Sequence, residues 1–180
     1  MNKITFIEDA FECRYELPKG WWNLYRQFCI DLYKALEVSD AFEGFKILQV
    51  KEKYGKLTFY SKGATRLAED VITKYSLLSE QVCCMCGKPA TVRTYGYICP
   101  YCTEHVRGTM ENVDDAEIIE PKTTFTVKRW NSTGGVDKFE LDCTNEWYSY
   151  LERIGYNNDE RETSISNTIT ERNGEIRIPR

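Results

Sequence analysis

Two short cysteine pairs, Cys83-x2-Cys86 and Cys99-x2-Cys102, constrain this chain more than any other feature. Such pairs form tight loops, and two loops facing each other can hold a tetrahedral ion between four sulfurs. Gly87 permits the backbone of the first loop, and Pro100 is expected to pre-set a turn in the second. The spacing therefore predicts a structural zinc ion on Cys83, Cys86, Cys99 and Cys102. His105 follows Cys102 by three residues and competes with Cys99 for the fourth place. Cys84 stands too close to Cys86 to replace Cys83. Four protein ligands leave no position for an activated water, so the ion is expected to be structural rather than catalytic. A zinc deaminase would need His-x-Glu, whereas Val106 and Arg107 follow His105.

The remaining composition says where such a site would operate. Eight cysteines in an exported chain would suggest disulfides, but Met1 to Ala10 carries no apolar signal-peptide core. A cytoplasmic protein is expected, with metal ligation as the use of the paired thiols. Charged residues interrupt every apolar run before the ~18 residues that a membrane span requires. The net charge of −4 is unevenly spread: residues 1–82 are neutral, 83–106 carry +1 and 107–180 carry −5. No segment has the basic excess of a phosphate-tracking surface, which disfavours nucleic acid as a partner.

Hydrophobic periodicity predicts an α+β fold: a small helix–hairpin–helix unit joined to a zinc ribbon, then a second α+β region with antiparallel hairpins. Helical spacing of apolar residues runs over Trp21–Leu36 and Thr65–Val82. The β-prone runs Phe45–Val50 and Leu57–Tyr60 are joined through Gly55 and predict a hairpin with Leu48 and Val50 on one face. Ile4–Ile7 reads as an edge strand. The organisation expected is an α+β domain over 1–82, the zinc ribbon over 83–106, an acidic linker over 107–120 and an α+β region over 121–180. In the last, Thr123–Trp130 and Val136–Leu141 form a hairpin, and Thr144 is expected to cap a short helix that Gly155 ends. Asn173-Gly174 predicts a tight turn that sets Arg172 opposite Glu175.

Candidate contact residues cluster on the first hairpin. Lys51, Lys53 and Lys56 form a cationic edge suited to a phosphate or an acidic partner, with Tyr54 among them. Adjacent helical positions diverge in direction, so one of Trp21 and Trp22 is expected to face outward, and Trp22 is the surface candidate. Three functions compete: a non-enzymatic binding protein, a binder or hydrolase of a nucleotide signal, and a nucleic-acid-binding zinc ribbon. The first is preferred. No carboxylate spacing singles out an acid–base pair, so no catalytic residue is assigned.

Trp21-Trp22-x-Leu24, Gln49-Val50-Lys51-Glu52-Lys53-Tyr54-Gly55-x-Leu57-x-Phe59-Tyr60 and a helix running into Cys83-x2-Cys86-Gly87 together resemble a family of small uncharacterised proteins found largely in bacteriophages and prophages. The resemblance covers about residues 20–105 and implies a small α/β unit with a zinc-ribbon-like end. It further implies a phage protein in the host cytoplasm that counters host defence, by gripping a host protein or sequestering a nucleotide. Cys84 and the chain after Val106 depart from that pattern.

Overall fold

A computed structural model describes residues 3–95, 97–106, 116–155, 170–172 and 175–177. Its centre is helix α2 (Trp22–Ser39), whose Leu24, Tyr25, Phe28, Leu32 and Leu36 are all buried. Helix α1 (Lys3–Phe11) packs on it through Phe6, which meets Tyr33 and Phe42 edge-on. The expected strand at Ile4–Ile7 is thus the start of a helix. Ile7, Ala10 and Phe11 continue the helical spacing that a four-residue window is too short to reveal. The Tyr25 hydroxyl donates to the Ala10 carbonyl at 2.7 Å and fixes the helix end.

Strands β1 (Lys46–Lys53) and β2 (Lys56–Lys62) form an antiparallel hairpin turned at Tyr54-Gly55, with φ of 54° and 74°. Val50, Leu57 and Phe59 face the core, where Phe59 lies 4.3 Å from the Phe28 ring. Leu48 was expected to share this face with Val50, yet it is exposed. The register shifts by one residue between Ile47 and Gln49, and this bulge restores Ile47 to the core in its place.

Helix α3 (Arg66–Ser79) is capped by Thr65, whose hydroxyl accepts from the Ala68 N–H, and it closes the free edge of β2. Leu57 lies at a non-hydrogen-bonded ladder position, so its backbone groups point away from β1. Its N–H donates to Ser79 Oγ at 2.8 Å, and Ser76 Oγ donates to its carbonyl at 2.6 Å. Leu57 on this edge is thereby satisfied without a third strand.

The cysteine segment contributes β3 (Val92–Arg93), β4 (Pro100–Tyr101) and the single-turn helix α4 (Thr103–Val106). Glu117–Ile118, within the segment expected to be linker, forms β5, and the sheet order is β4-β3-β5. Strands β6 (Thr124–Trp130) and β7 (Val136–Asp142) make the expected second hairpin, followed by α5 (Thr144–Arg153). Cys143 rather than Thr144 stands at the N-cap of α5, and Asp142 Oδ1 accepts from the Thr144 N–H at 2.8 Å. Backbone pairing of β8 (Thr170–Arg172) with β9 (Glu175–Arg177) sets Arg172 opposite Glu175; the turn between them lies outside the described residues.

The C-terminal region packs on the rest of the chain. Trp147, Tyr150, Leu151 and Cys143 belong to the same core cluster as α2 and α3. Lys74 Nζ meets Glu146 at 2.5 Å, Arg129 meets Asp70 at 2.8 Å, and the Gln81 side chain clasps both backbone groups of Lys122. No described helix is long and apolar enough to cross a membrane. The architecture is mixed helix and antiparallel sheet, as the sequence predicts.

Candidate metal centre and basic hairpin

The first cysteine loop is built by its own backbone. The Cys83 N–H donates to the Lys88 carbonyl at 2.8 Å, the Gly87 N–H returns to the Cys83 carbonyl at 2.9 Å, and Val82 bridges Pro89. Gly87 has φ of 78°, the left-handed value that turns the loop back. The turn before α2 (Lys19–Trp21) braces this loop. Trp21 Nε1 donates to the Val82 carbonyl at 2.8 Å, and the Gly20 N–H donates to the Cys84 carbonyl at 2.9 Å. A Cβ on Gly20 would lie 2.2 Å from the Cys83 carbonyl oxygen, so only glycine permits this approach. Tyr150 of α5 donates its hydroxyl to the Gly87 carbonyl.

The second half of the centre is a helical turn. The His105 and Val106 N–H groups both donate to the Cys102 carbonyl at 3.0 Å, which sets Cys102 and His105 on one side of α4. The ligand atoms of Cys83, Cys86, Cys102 and His105 all lie within 4.8 Å of one another. Cys86 Sγ to Cys102 Sγ is 3.7 Å, Cys102 Sγ to His105 Nδ1 is 3.2 Å, and Cys83 Sγ to His105 Nδ1 is 3.7 Å. This Cys3His group can bind a metal ion. Hydrogen bonding with the Cys86 thiol, and then backbone N–H groups acting against burial, lower the pKa of the Cys83 thiol.

Cys99, expected as the fourth ligand, is not part of this group; His105, the alternative, stands there instead. The reason is strand alternation. Cys99 runs directly into β4, which pairs with β3 rather than forming the turn expected at Pro100. Neighbouring strand positions point to opposite faces, so Cys99 and Tyr101 turn away from the side that Cys102 uses. Cys99 is buried beside Cys84, whose thiol pKa is raised first by hydrogen bonding with Cys99 and then by burial. Thr94 fixes this loop: its N–H donates to the Cys99 carbonyl at 3.2 Å and its hydroxyl to the Tyr97 carbonyl at 2.7 Å.

The hairpin lies against the metal segment. Gly55 sits so close to Ile98 that an added Cβ would meet the Ile98 carbonyl oxygen at 3.0 Å. Tyr97 donates to Glu52 at 3.4 Å, and Glu80 joins the two segments by pairing with Lys56 and Arg93, each at 2.8 Å. Of the expected contact residues, Lys53 and Tyr54 are exposed and Lys51 is half-buried, while Lys56 is engaged by Glu80. Lys51 lies 5.0 Å over the Tyr60 ring and Lys53 5.5 Å over Tyr54. Trp22 is half-buried rather than free. Its Nε1 donates to the Leu17 carbonyl at 3.3 Å, and its ring contacts are with Tyr15 and Arg14. No family model, curated protein or solved structure matches this chain.

Proposed function

We propose that this chain is a zinc-stabilised, non-enzymatic binding protein that presents the β1–β2 hairpin to a protein partner. One observation carries the reading: the Cys3His segment buttresses the hairpin tip through Ile98, Tyr97 and Arg93, so an ion that orders the segment also orders the tip. Zinc is the ion that fits the donors. A tetrahedron with Zn–S of ~2.3 Å and Zn–N of ~2.0 Å has S···S edges of about 3.8 Å and S···N edges of about 3.5 Å. The separations of 3.7 Å for Cys86–Cys102 and 3.2 to 3.7 Å for His105 lie close to these values. Three thiolates and an imidazole complete a four-coordinate shell, which supports a structural role over the activation of water.

The partner in this proposal is a host protein, in keeping with the resemblance to phage proteins. A nucleotide is the second choice, because Lys56, one of its three expected phosphate ligands, is held by Glu80. Elemental analysis of purified protein is expected to find about one zinc per chain, with the fold lost on chelation. Immobilised protein should then retain a partner from bacterial lysate only in the zinc-loaded form. Retention of nothing at either low or high salt would sink the binding role. A thermal shift with nucleotides but not with lysate proteins would favour the second choice.

A further inference from the structure

The hairpin register sorts its charges completely. One face carries Lys46, Gln49, Lys51 and Lys53 from β1, and Lys56, Thr58, Tyr60 and Lys62 from β2. These eight positions hold five lysines and no carboxylate. Glu52 is the hairpin's lone acid and belongs to the opposite face, where its carboxylate accepts from the Gly55 N–H at 2.7 Å and from the Tyr97 hydroxyl at 3.4 Å. The sorting runs against stability, because Lys46 stands opposite Lys62 and Lys53 opposite Lys56. Glu80 relieves Lys56 alone. Lys46, Lys51, Lys53 and Lys62 have no ion-pair partner among the described residues.

The tip adds a second strained feature. Tyr54 holds φ of 54°, a conformation that Asn or Gly adopts more cheaply, and yet its ring is 75% exposed. Tyr97, 69% exposed, reaches Glu52 on the opposite face. Tyr54 and Tyr60, both exposed, stand against Lys53 and Lys51, which gives the lysine face open aromatic area of the kind enriched in protein interfaces.

We infer that this lysine face recognises an extended protein segment bearing carboxylates at alternate positions. The inference rests on the reading of the hairpin as the contact surface. Charge complementarity selects the partner, and the strand repeat sets its spacing. Lys51 and Lys53 are separated by two strand residues, ~6.6 Å, and alternate side chains on one face of an extended peptide repeat at that distance. All five cations are lysines, with none of the guanidinium forks best suited to phosphates. The whole chain carries −4, so a nucleic acid running past the hairpin would meet a repelling surface, whereas a short acidic segment stays within the patch.

Fluorescence anisotropy tests this with the full zinc-loaded chain and a labelled dodecapeptide of alternating Asp and Thr. The peptide should bind, and binding should weaken at least about tenfold between about 50 and about 200 mM salt. The double variant Lys51→Glu/Lys53→Glu should weaken it at least about tenfold, with an unchanged circular dichroism spectrum. Lys46→Glu/Lys62→Glu, away from the tip on the same face, provides a second variant should the first fail to fold. Lys34→Glu, exposed on α2 and away from the lysine face, should leave binding intact. Absence of peptide binding at low salt overturns the inference, as does equal binding by a folded variant of the lysine face. Tighter binding of oligothymidylate than of peptide overturns it in favour of nucleic acid. If zinc-dependent capture from lysate persists in the lysine variants, this inference alone fails and the scaffold reading stands.

Discussion

At the scale of single residues, the metal centre separates what spacing reveals from what it conceals. Cys83 and Cys86 are legible as a pair because the loop between them is closed by Gly87. Cys102 and His105 are legible as a helical pair three residues apart. Cys99 is misleading, because the same three-residue offset from Cys102 acts differently once the backbone is extended and the side chains alternate. That conformation is imposed by pairing with Val92 and Arg93, which no local pattern announces. Substitution separates the two ligand sets. Cys102→Ser and His105→Ala should each abolish stoichiometric zinc, measured on desalted protein, whereas Cys99→Ser should retain about one ion per chain. Loss of the ion from Cys99→Ser in a folded protein would restore the four-cysteine set. Leu48 offers a parallel lesson: period-two reading assigns it to the core, and a one-residue bulge exposes it.

Among elements, the hairpin and α3 form a unit that the sequence describes only in part. The two strands, their glycine turn and the apolar stripe of α3 are legible from periodicity. The serines are not, since Ser76 and Ser79 read as ordinary polar breaks in a helix. In the fold they serve as the missing third strand, satisfying Leu57 on the otherwise open edge of β2. Ser79 is fully buried and so is Leu57. Removing the hydroxyl orphans a buried N–H, for which water cannot substitute without opening the contact. Ser79→Ala should therefore destabilise the protein by about 1–3 kcal/mol, read as a lowered urea midpoint at unchanged m-value. A change below about 0.5 kcal/mol would show that the edge is not held in this way. Helix α1 is hidden for a related reason: its apolar spacing becomes helical only when Ala10 and Phe11 are included, and its partners Tyr33 and Phe42 lie far along the chain.

For the molecule as a whole, sequence boundaries give way to shared burial. The segment expected to be linker supplies β5, and α5 reaches the metal loop through Tyr150, so metal segment and C-terminal region are packed on one core. That core is rich in ionisable groups that fold in their neutral form. Burial raises the Tyr25 pKa, assisted by Cys29 and Cys13, and raises that of Tyr75, assisted by Asp31, to which its hydroxyl donates. Cys143 in the same core is pushed up to about 12, chiefly by burial. Each folded pKa exceeds its unfolded value, so the unfolded chain releases these protons first and binds fewer than the native state. Stability then falls as pH rises. The contribution is fully present below the unfolded values, ~8.5 for thiols and ~10 for phenols, and is lost progressively above them. Each buried tyrosine should remove up to about 1.4 kcal/mol per pH unit above ~10. Thermal midpoints measured from neutral pH to about pH 11 should decline with a break near ~10. Tyr75→Phe should lower the midpoint at neutral pH, by deleting the bond to Asp31, and flatten the alkaline decline. An undiminished slope in that variant would mean that Tyr75 does not remain protonated in the folded core.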